Sequence, residues 1–199
     1  MLLAERYKKG QLFREDNLSQ SRTYVWVYDG AGNIEREDVY QTDFDDVLDS
    51  TYYGAKEYGY AENSDRLTSY NGMSMTYDEI GNPIRYRDNR LVWQNGTQLA
   101  SYGNITFAYN SDGMRTSKTV DGVTYNYILD GSRVMRQTFG NYVADYIYHE
   151  DGTPMAFAYY TVGGTVNYYY YETNLQGDVI AVYSESGELV METDYDAWG

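Results

Sequence analysis

His149 is the single histidine of the chain, and general-base or zinc chemistry there would need carboxylates gathered around the imidazole. Its neighbours Glu150 and Asp151 fall on alternate faces of a strand or into a turn, so His149 reads as a turn residue. With 30 acidic side chains, some pair will meet the roughly 5–10 Å separation of a glycosidase by chance, which empties that criterion of information. Asp29, Asp78, Asp112, Asp130 and Asp151 instead recur at one position of a repeat or beside it, where a carboxylate caps a turn. Gly30-Ala31-Gly32 starts like a dinucleotide fingerprint but lacks the third glycine and the strand-to-helix setting. Asp43, Asp45, Asp46 and Asp49 carry charge suited to calcium, yet have neither the sixth-position glycine nor the spaced glutamate, and read as a solvated acidic loop. Asn17-Leu18-Ser19, Asn95-Gly96-Thr97 and Asn104-Ile105-Thr106 are glycosylation acceptor triplets. Cysteine is absent, and no nucleophile and base stand at an informative spacing. No catalytic residue, metal or cofactor is expected, and the chain reads as a non-enzyme.

One further group carries chemistry: Tyr168, Tyr169, Tyr170 and Tyr171. Aromatic faces stack on sugar rings and dock peptides, so this run is a candidate contact for cell-wall carbohydrate, set against cross-strand packing inside a sheet. Tyrosine is also the unusual number of the composition, 26 among 199 residues, beside 19 glycines and only 2 prolines. Tyrosine favours strands and glycine favours turns, which predicts an all-β protein. The formal charge of -15 repels a phosphate backbone, and without a basic stripe nucleic acid is excluded as a partner. No segment approaches the roughly 18 consecutive apolar residues of a membrane span. Met1-Leu2-Leu3-Ala4 runs at once into Glu5 and Arg6, unlike a signal peptide, and the opening looks like the edge of a piece cut from something longer.

The elements that would position these groups come from a repeat, a tyrosine followed four residues later by glycine. Tyr28-Asp29-Gly30-Ala31-Gly32-Asn33-Ile34 is the fullest copy, and Tyr77-Asp78-Glu79-Ile80-Gly81-Asn82 repeats it. Looser copies pair Tyr109 with Gly113, Tyr127 with Gly131, Tyr148 with Gly152, Tyr183 with Gly187 and Tyr195-Asp196 with Gly199; after Tyr60, Ser64 takes the glycine place. Each copy reads as strand, tight turn, strand, since glycine enters positive φ freely and Asp or Asn bonds the backbone two residues on. Asn71-Gly72, Asn95-Gly96 and Asp121-Gly122 add hairpin signals. Strands are predicted at 22–28, 33–40, 51–60, 66–70, 73–77, 91–93, 98–102, 105–109, 114–119, 123–128, 133–139, 142–148, 154–161, 165–171, 178–183 and 188–195. Val123, Tyr125 and Tyr127 should share one face, with Thr124, Asn126 and Ile128 on the other. Thr42 to Ser50 has helical spacing but is too short to stand as a helix.

The Tyr-Asp-x-x-Gly-Asn units resemble the YD repeats of Rhs proteins. The stretch from Tyr171-Glu172-Thr173-Asn174-Leu175-Gln176-Gly177-Asp178 to Tyr195-Asp196-Ala197-Trp198-Gly199 looks like the Rhs-associated core, in a form similar to wall-associated YD-repeat proteins of Gram-positive bacteria. Met114-Arg115-Thr116-Ser117-Lys118-Thr119-Val120 followed by Leu129-Asp130-Gly131-Ser132-Arg133 fits the same pattern. The resemblance divides the chain into a poorly defined lead-in, 1–21, and a YD-repeat core sheet, 22–199, with the core motif at 171–199. It implies antiparallel hairpins in a curved, spiralling sheet, a segment of a shell that in toxin members of polymorphic families encloses a variable C-terminal domain delivered to a competitor cell. A secreted or cell-surface bacterial location follows from the same likeness. Asp196 superficially resembles the family's aspartate cleavage motif, which comes later and is usually Asp-Pro, so no catalytic role passes to it.

About 16 strands, spaced ~4.8 Å and ~20 Å long, make a sheet of roughly 1,500 Å². A compact cargo of about 100 residues has a surface of roughly 3,500 Å². The chain is therefore expected to supply one wall section, with the toxin cargo of a longer chain as its intramolecular partner. Exposed terminal strands also make an edge-strand dimer an expectation.

Overall fold

Wherever glycine or an Asn-Gly or Asp-Gly pair interrupts the alternating pattern, the chain reverses and pairs with the strand just made. The computed structural model describes residues 3–42 and 51–195. Over them the chain is all-β, with no helix among the described residues. The acidic group at Asp43, Asp45, Asp46 and Asp49, the helical spacing up to Ser50, and Asp196 and Gly199 lie outside the described residues.

Two units are present. The first, residues up to Asn89 with Asp194 and Tyr195, contains β1 (Leu3–Lys8), β2 (Gln11–Asn17), β3 (Arg22–Tyr28), β4 (Ile34–Gln41), β5 (Tyr52–Tyr60), β6 (Leu67–Tyr70) and β7 (Met73–Ser74), each antiparallel to the next. The hairpin of β8 (Thr76–Tyr77) and β9 (Pro83–Tyr86) also belongs to it. The second unit, Arg90–Thr193, is a meander of β10 (Asn89–Gln94), β11 (Gln98–Tyr102), β12 (Ile105–Tyr109), β13 (Arg115–Val120), β14 (Val123–Asp130), β15 (Arg133–Phe139), β16 (Tyr142–Tyr148), β17 (Pro154–Thr161), β18 (Asn167–Thr173), β19 (Val179–Ser184) and β20 (Leu189–Glu192).

Strands 22–28, 98–102, 105–109, 133–139, 142–148 and 154–161 fall as expected from the sequence. Asn71, Asn95 and Asp121 take positive φ, each followed by a glycine that does the same, the left-handed pairing whose twist matches that of the flanking strands. Three differences are informative. The expected strand 73–77 breaks at Met75, whose amide bonds the carbonyl of Thr68 at 2.8 Å. Strand β9 opens on Pro83, the one strand position that needs no amide donor, and so escapes a reading that treats proline as a breaker. Residues 3–17, a lead-in by sequence, form the hairpin β1–β2, which no apolar alternation announces because it is held by charge.

In that hairpin Arg14 Nε donates to Asp16 at 2.9 Å, and Thr23 Oγ1 from β3 donates to the same carboxylate at 2.7 Å. Glu15, Asn17 and Thr23 are fully buried. Nearby, Lys56 Nζ meets Glu37 at 2.6 Å while the Trp26 indole donates to the other Glu37 oxygen at 3.3 Å. Buried charges tolerate only pairings that satisfy them, so this network fixes strand register more than it adds stability.

The second unit separates its faces. Registers place Tyr125, Phe139, Tyr142, Tyr159, Phe157 and Tyr169 on one side. Tyr125 stacks on Phe139 at 5.1 Å, Phe139 on Tyr142 at 5.3 Å, and Phe157 on Tyr169 at 5.0 Å. Thr124, Asn126 and Ile128 are exposed on the opposite side while Tyr125 and Tyr127 are half-buried, as the alternation predicts. Phe157→Ala should cost about 2–4 kcal/mol in urea unfolding, toward the lower part of the large-to-small range because the ring is half-buried, whereas Tyr168→Ala on the open face should change stability by less than about 1 kcal/mol.

Candidate functional site

The repeat turn has one hydrogen-bond plan. The Asp29 amide bonds the Asn33 carbonyl at 2.8 Å and the Gly32 amide bonds back to the Asp29 carbonyl at 3.2 Å. The same two bonds recur at Asp78 with Asn82 and Gly81, Asn110 with Met114 and Gly113, His149 with Thr153 and Gly152, Asn174 with Asp178 and Gly177, and Ser184 with Glu188 and Gly187. This is a turn closed by a glycine at positive φ, the geometry that inserts one extra residue and shifts the register of the strand pair. Asp29 Oδ1 caps it, accepting from the amides of Ala31, Gly32 and Asn33 at 2.8, 2.7 and 2.8 Å. At Gly152 φ is +92°, a backbone that favours glycine, and a Cβ would stand 2.7 Å from the movable end of Arg133.

These register shifts are not scattered. In the second unit they fall at β10–β11, β12–β13, β14–β15, β16–β17 and β18–β19. The intervening seams β11–β12, β13–β14, β15–β16 and β17–β18 run in continuous register. Only β19–β20 adds a shift on the opposite rim, at Val182/Tyr183.

At each shift one side chain occupies a fixed slot, just before the turn and opposite the first residues of the returning strand. Tyr7 opposes Leu12, Tyr28 opposes Ile34, Tyr60 opposes Leu67 and Tyr77 opposes Pro83 in the first unit. Trp93 opposes Leu99, Tyr109 opposes Arg115, Leu129 opposes Val134 and Tyr148 opposes Pro154 in the second. The tyrosine of one slot donates its hydroxyl to the backbone carbonyl of the residue that opposes the preceding slot. Tyr28 bonds Leu12, Tyr60 bonds Ile34 at 2.9 Å, Tyr77 bonds Leu67 at 2.6 Å, Tyr109 bonds Leu99 at 2.9 Å and Tyr148 bonds Val134 at 2.8 Å. Each bond ties a hairpin to the one before it. Arginines stack across the same step: Arg66 lies over Tyr77 at 5.2 Å and Arg133 over Tyr148 at 5.1 Å.

Most of the repeat residues named from the sequence meet at these slots and turns, and three places differ. Tyr127 and Gly131 are not a copy of the plan. Strand β14 continues through Asp130, which pairs with Arg133, so the connection is the two-residue Gly131-Ser132 and Leu129 fills the slot. Tyr183 donates to the Glu172 carboxylate at 2.9 Å and not to a carbonyl. The turn Asn174–Asp178, read in the sequence only as part of the core motif, is a full copy with Thr173 in the slot; its Asn-x-x-Gly-Asp spelling was the available signal. His149 opens its turn, as expected of a turn residue.

The run Tyr168–Tyr171 divides between faces. Tyr169 and Tyr171 pack on Phe157, with centroids 5.0 and 5.4 Å away, and burial pushes the Tyr171 phenol up to about 12. Tyr168 and Tyr170 face outward, 39% and 45% exposed, opposite the small Ala158 and Ala156. On that face Arg136 pairs with Asp145, which also accepts from Tyr160 at 2.8 Å. Among the described residues no group of three or more His, Asp or Glu could hold a metal ion, and no helix is long and apolar enough to cross a membrane.

No family model matches the chain. The tRNA nuclease WapA of Bacillus subtilis (strain 168) is 28% identical to it over 203 residues, covering 96% of this chain and 8% of the relative. The tRNA3(Ser)-specific nuclease WapA of Bacillus spizizenii is likewise 28% identical, with 96% and 8% covered. An alignment along nearly the whole chain thus accompanies a tyrosine-turn-glycine unit repeated from hairpin to hairpin. The likeness and the repeat together support an Rhs/YD-repeat identity. A structure of the Photorhabdus luminescens Tc holotoxin pore covers 94% of this YD-repeat chain and 13% of that chain, at 12% identity and a TM-score of 0.45. The secreted or cell-surface location implied by the repeats accompanies the same likeness. One expectation is corrected: the sequence reads as a non-enzyme, but the relatives are named as tRNA nucleases, so YD repeats do not mark a protein as lacking enzymatic activity. The chain spans 8% of the length of these relatives.

Several turn and face carboxylates are held below the ordinary aspartate range. The Asn33 side chain does this for Asp29, the Thr153 amide for Asp151 and the Arg136 guanidinium for Asp145. For Asp78, desolvation pushes the other way, but the Asn82 side chain and turn amides outweigh it. A carboxylate whose folded value is depressed contributes stability above its unfolded value, near 3.9, and loses it as pH falls through the folded one. Urea midpoints should therefore be flat from pH 7 to about 5 and fall below about 4, with a shallower fall in Asp145→Asn. Tyr148→Phe should cost about 1 kcal/mol at pH 7 by removing one hydroxyl-carbonyl bond while keeping the ring.

Proposed function

We propose that this YD-repeat chain is a wall section of an Rhs-type shell, which encloses or presents a C-terminal toxin domain of a longer protein. The alternation of shifted and unshifted seams carries this reading. Each bulge bends its strand and strengthens the local right-handed twist. Gathering the bulges on one rim makes their contributions add, so a meander of hairpins built this way rolls steadily instead of staying flat. The slot tyrosines support it by tying each hairpin to its predecessor, as expected where neighbours are the only available support. The relatives are named as tRNA nucleases, which supports a nuclease as one kind of cargo such a wall would serve. The test uses the longer protein with and without residues 60–199. Protease digestion of the C-terminal domain should be slowed only when the segment is present, and equal digestion of both forms would remove the proposal.

A second reading rests on Tyr168 and Tyr170, whose exposed rings stack on no other ring among the described residues while Tyr169 and Tyr171, in the same strand, are packed. Their face also offers the Glu172 carboxylate and the Asp145–Arg136–Tyr160 group as partners for hydroxyls. This is the chemistry of a pyranose platform, apolar ring faces beside fixed polar groups. Cell-wall pull-down should retain the chain and lose it in the Tyr168→Ala, Tyr170→Ala double variant; absence of binding to cell-wall polysaccharide by the unaltered chain would end this reading.

A further inference from the structure

Three slots on the shifted rim of the second unit hold no tyrosine, Trp93, Leu129 and Thr173, and of these Leu129 stands between two tyrosine slots, Tyr109 and Tyr148. Leu129 stands, like Tyr28, Tyr60, Tyr77, Tyr109 and Tyr148 in their hairpins, at a register shift near the turn, with one further pair, Asp130 and Arg133, between it and Gly131-Ser132. By the rule those five obey, a tyrosine at this place would reach the carbonyl of the residue opposing the preceding slot. That residue is Arg115, which opposes Tyr109. Leucine cannot span the distance and has no hydroxyl to give. The space is there: a cavity of about 350 Å³ is lined by Met114, Arg115, Tyr127, Leu129, Ser132 and Val134. Its lining thus includes both the deficient slot and the residue that would accept the bond.

We propose that this cavity binds a phenolic ring, the tyrosyl side chain of a polypeptide segment lying against the rim. The occupant's chemistry is read from the five filled slots, where a phenol ring lies against the returning strand and its hydroxyl ends on a backbone carbonyl. Met114, Leu129 and Val134 supply apolar contacts for the ring, and a thioether is a favourable neighbour for an aromatic face. The Arg115 guanidinium lies over the Phe107 ring at 5.3 Å, and Ser132 and the Tyr127 phenol add polar groups to the lining. The volume lies within the roughly 300–1,000 Å³ of small-ligand sites, enough for a single ring. The site is independent of enclosure, since it would serve any polypeptide that presents a tyrosine to this rim.

The test is methyl NMR of the whole chain, labelled at methionine, leucine and valine and titrated with N-acetyltyrosinamide, N-acetylphenylalaninamide and p-cresol. N-acetyltyrosinamide should shift Met114, Leu129 and Val134 saturably, with a dissociation constant on the order of 1 mM as expected for so small a ligand. N-acetylphenylalaninamide should bind about fivefold more weakly for want of one hydroxyl-carbonyl bond. Leu129→Tyr should abolish binding and, by completing the slot, raise the thermal midpoint by about 2–4 °C. Leu129→Phe, a second way to fill the space, should also block the titration. No saturable shift with N-acetyltyrosinamide, or shifts that survive in both filled variants, would overturn the proposal. Binding of p-cresol without N-acetyltyrosinamide would overturn the polypeptide as its occupant.

Discussion

A phenol hydroxyl that must end on a carbonyl one hairpin back sets several things at once. It places an aromatic residue immediately before the turn, it places a register shift beside that residue, and it fixes how far one hairpin is offset from the last. Tyr148 shows all three together: its hydroxyl on Val134, the shift at Ile147/Tyr148, and Gly152 admitting Arg133 over the turn. Phenylalanine would pack as well but would leave the offset unspecified, and a shorter polar side chain would not reach. The prevalence of tyrosine in the chain is thus a geometric requirement as much as a preference for strands.

The aromatic face of the second unit follows the same economy. A strand whose sides are both partly wet favours a side chain with an apolar body and a polar tip. Tyr125, Phe139, Tyr142 and Tyr159 cover one another across strands in place of a second layer. The opposite face carries Thr124, Asn126, Ala156, Ala158, the exposed Tyr168 and Tyr170 and the Arg136–Asp145–Tyr160 group, so the two sides of one sheet offer different chemistry to whatever approaches.

Much of this could be read in the amino acids because turn chemistry is local. Glycine at positive φ and Asp or Asn capping backbone amides involve only four or five consecutive residues, and the hairpins they define were found in their places. What stayed hidden was non-local or carried by charge. The hairpin β1–β2 rests on Arg14, Asp16 and Thr23, whose partnership crosses strands and leaves no apolar rhythm. Tyr127 misled because a tyrosine four residues before glycine has the right spacing, while the pairing of Asp130 with Arg133 moves the slot to Leu129. The division of Tyr168–Tyr171 into packed and open pairs depended on Phe157 and the two alanines across the seam, invisible along a single strand. The slot rule itself needed the register of three strands at once.

Because shifted and continuous seams alternate from β10 to β19, adding or losing two strands there keeps the alternation and a change of one does not. Removing a single strand would reverse the direction of everything after it and carry each later tyrosine to the far rim, where its carbonyl partner is missing.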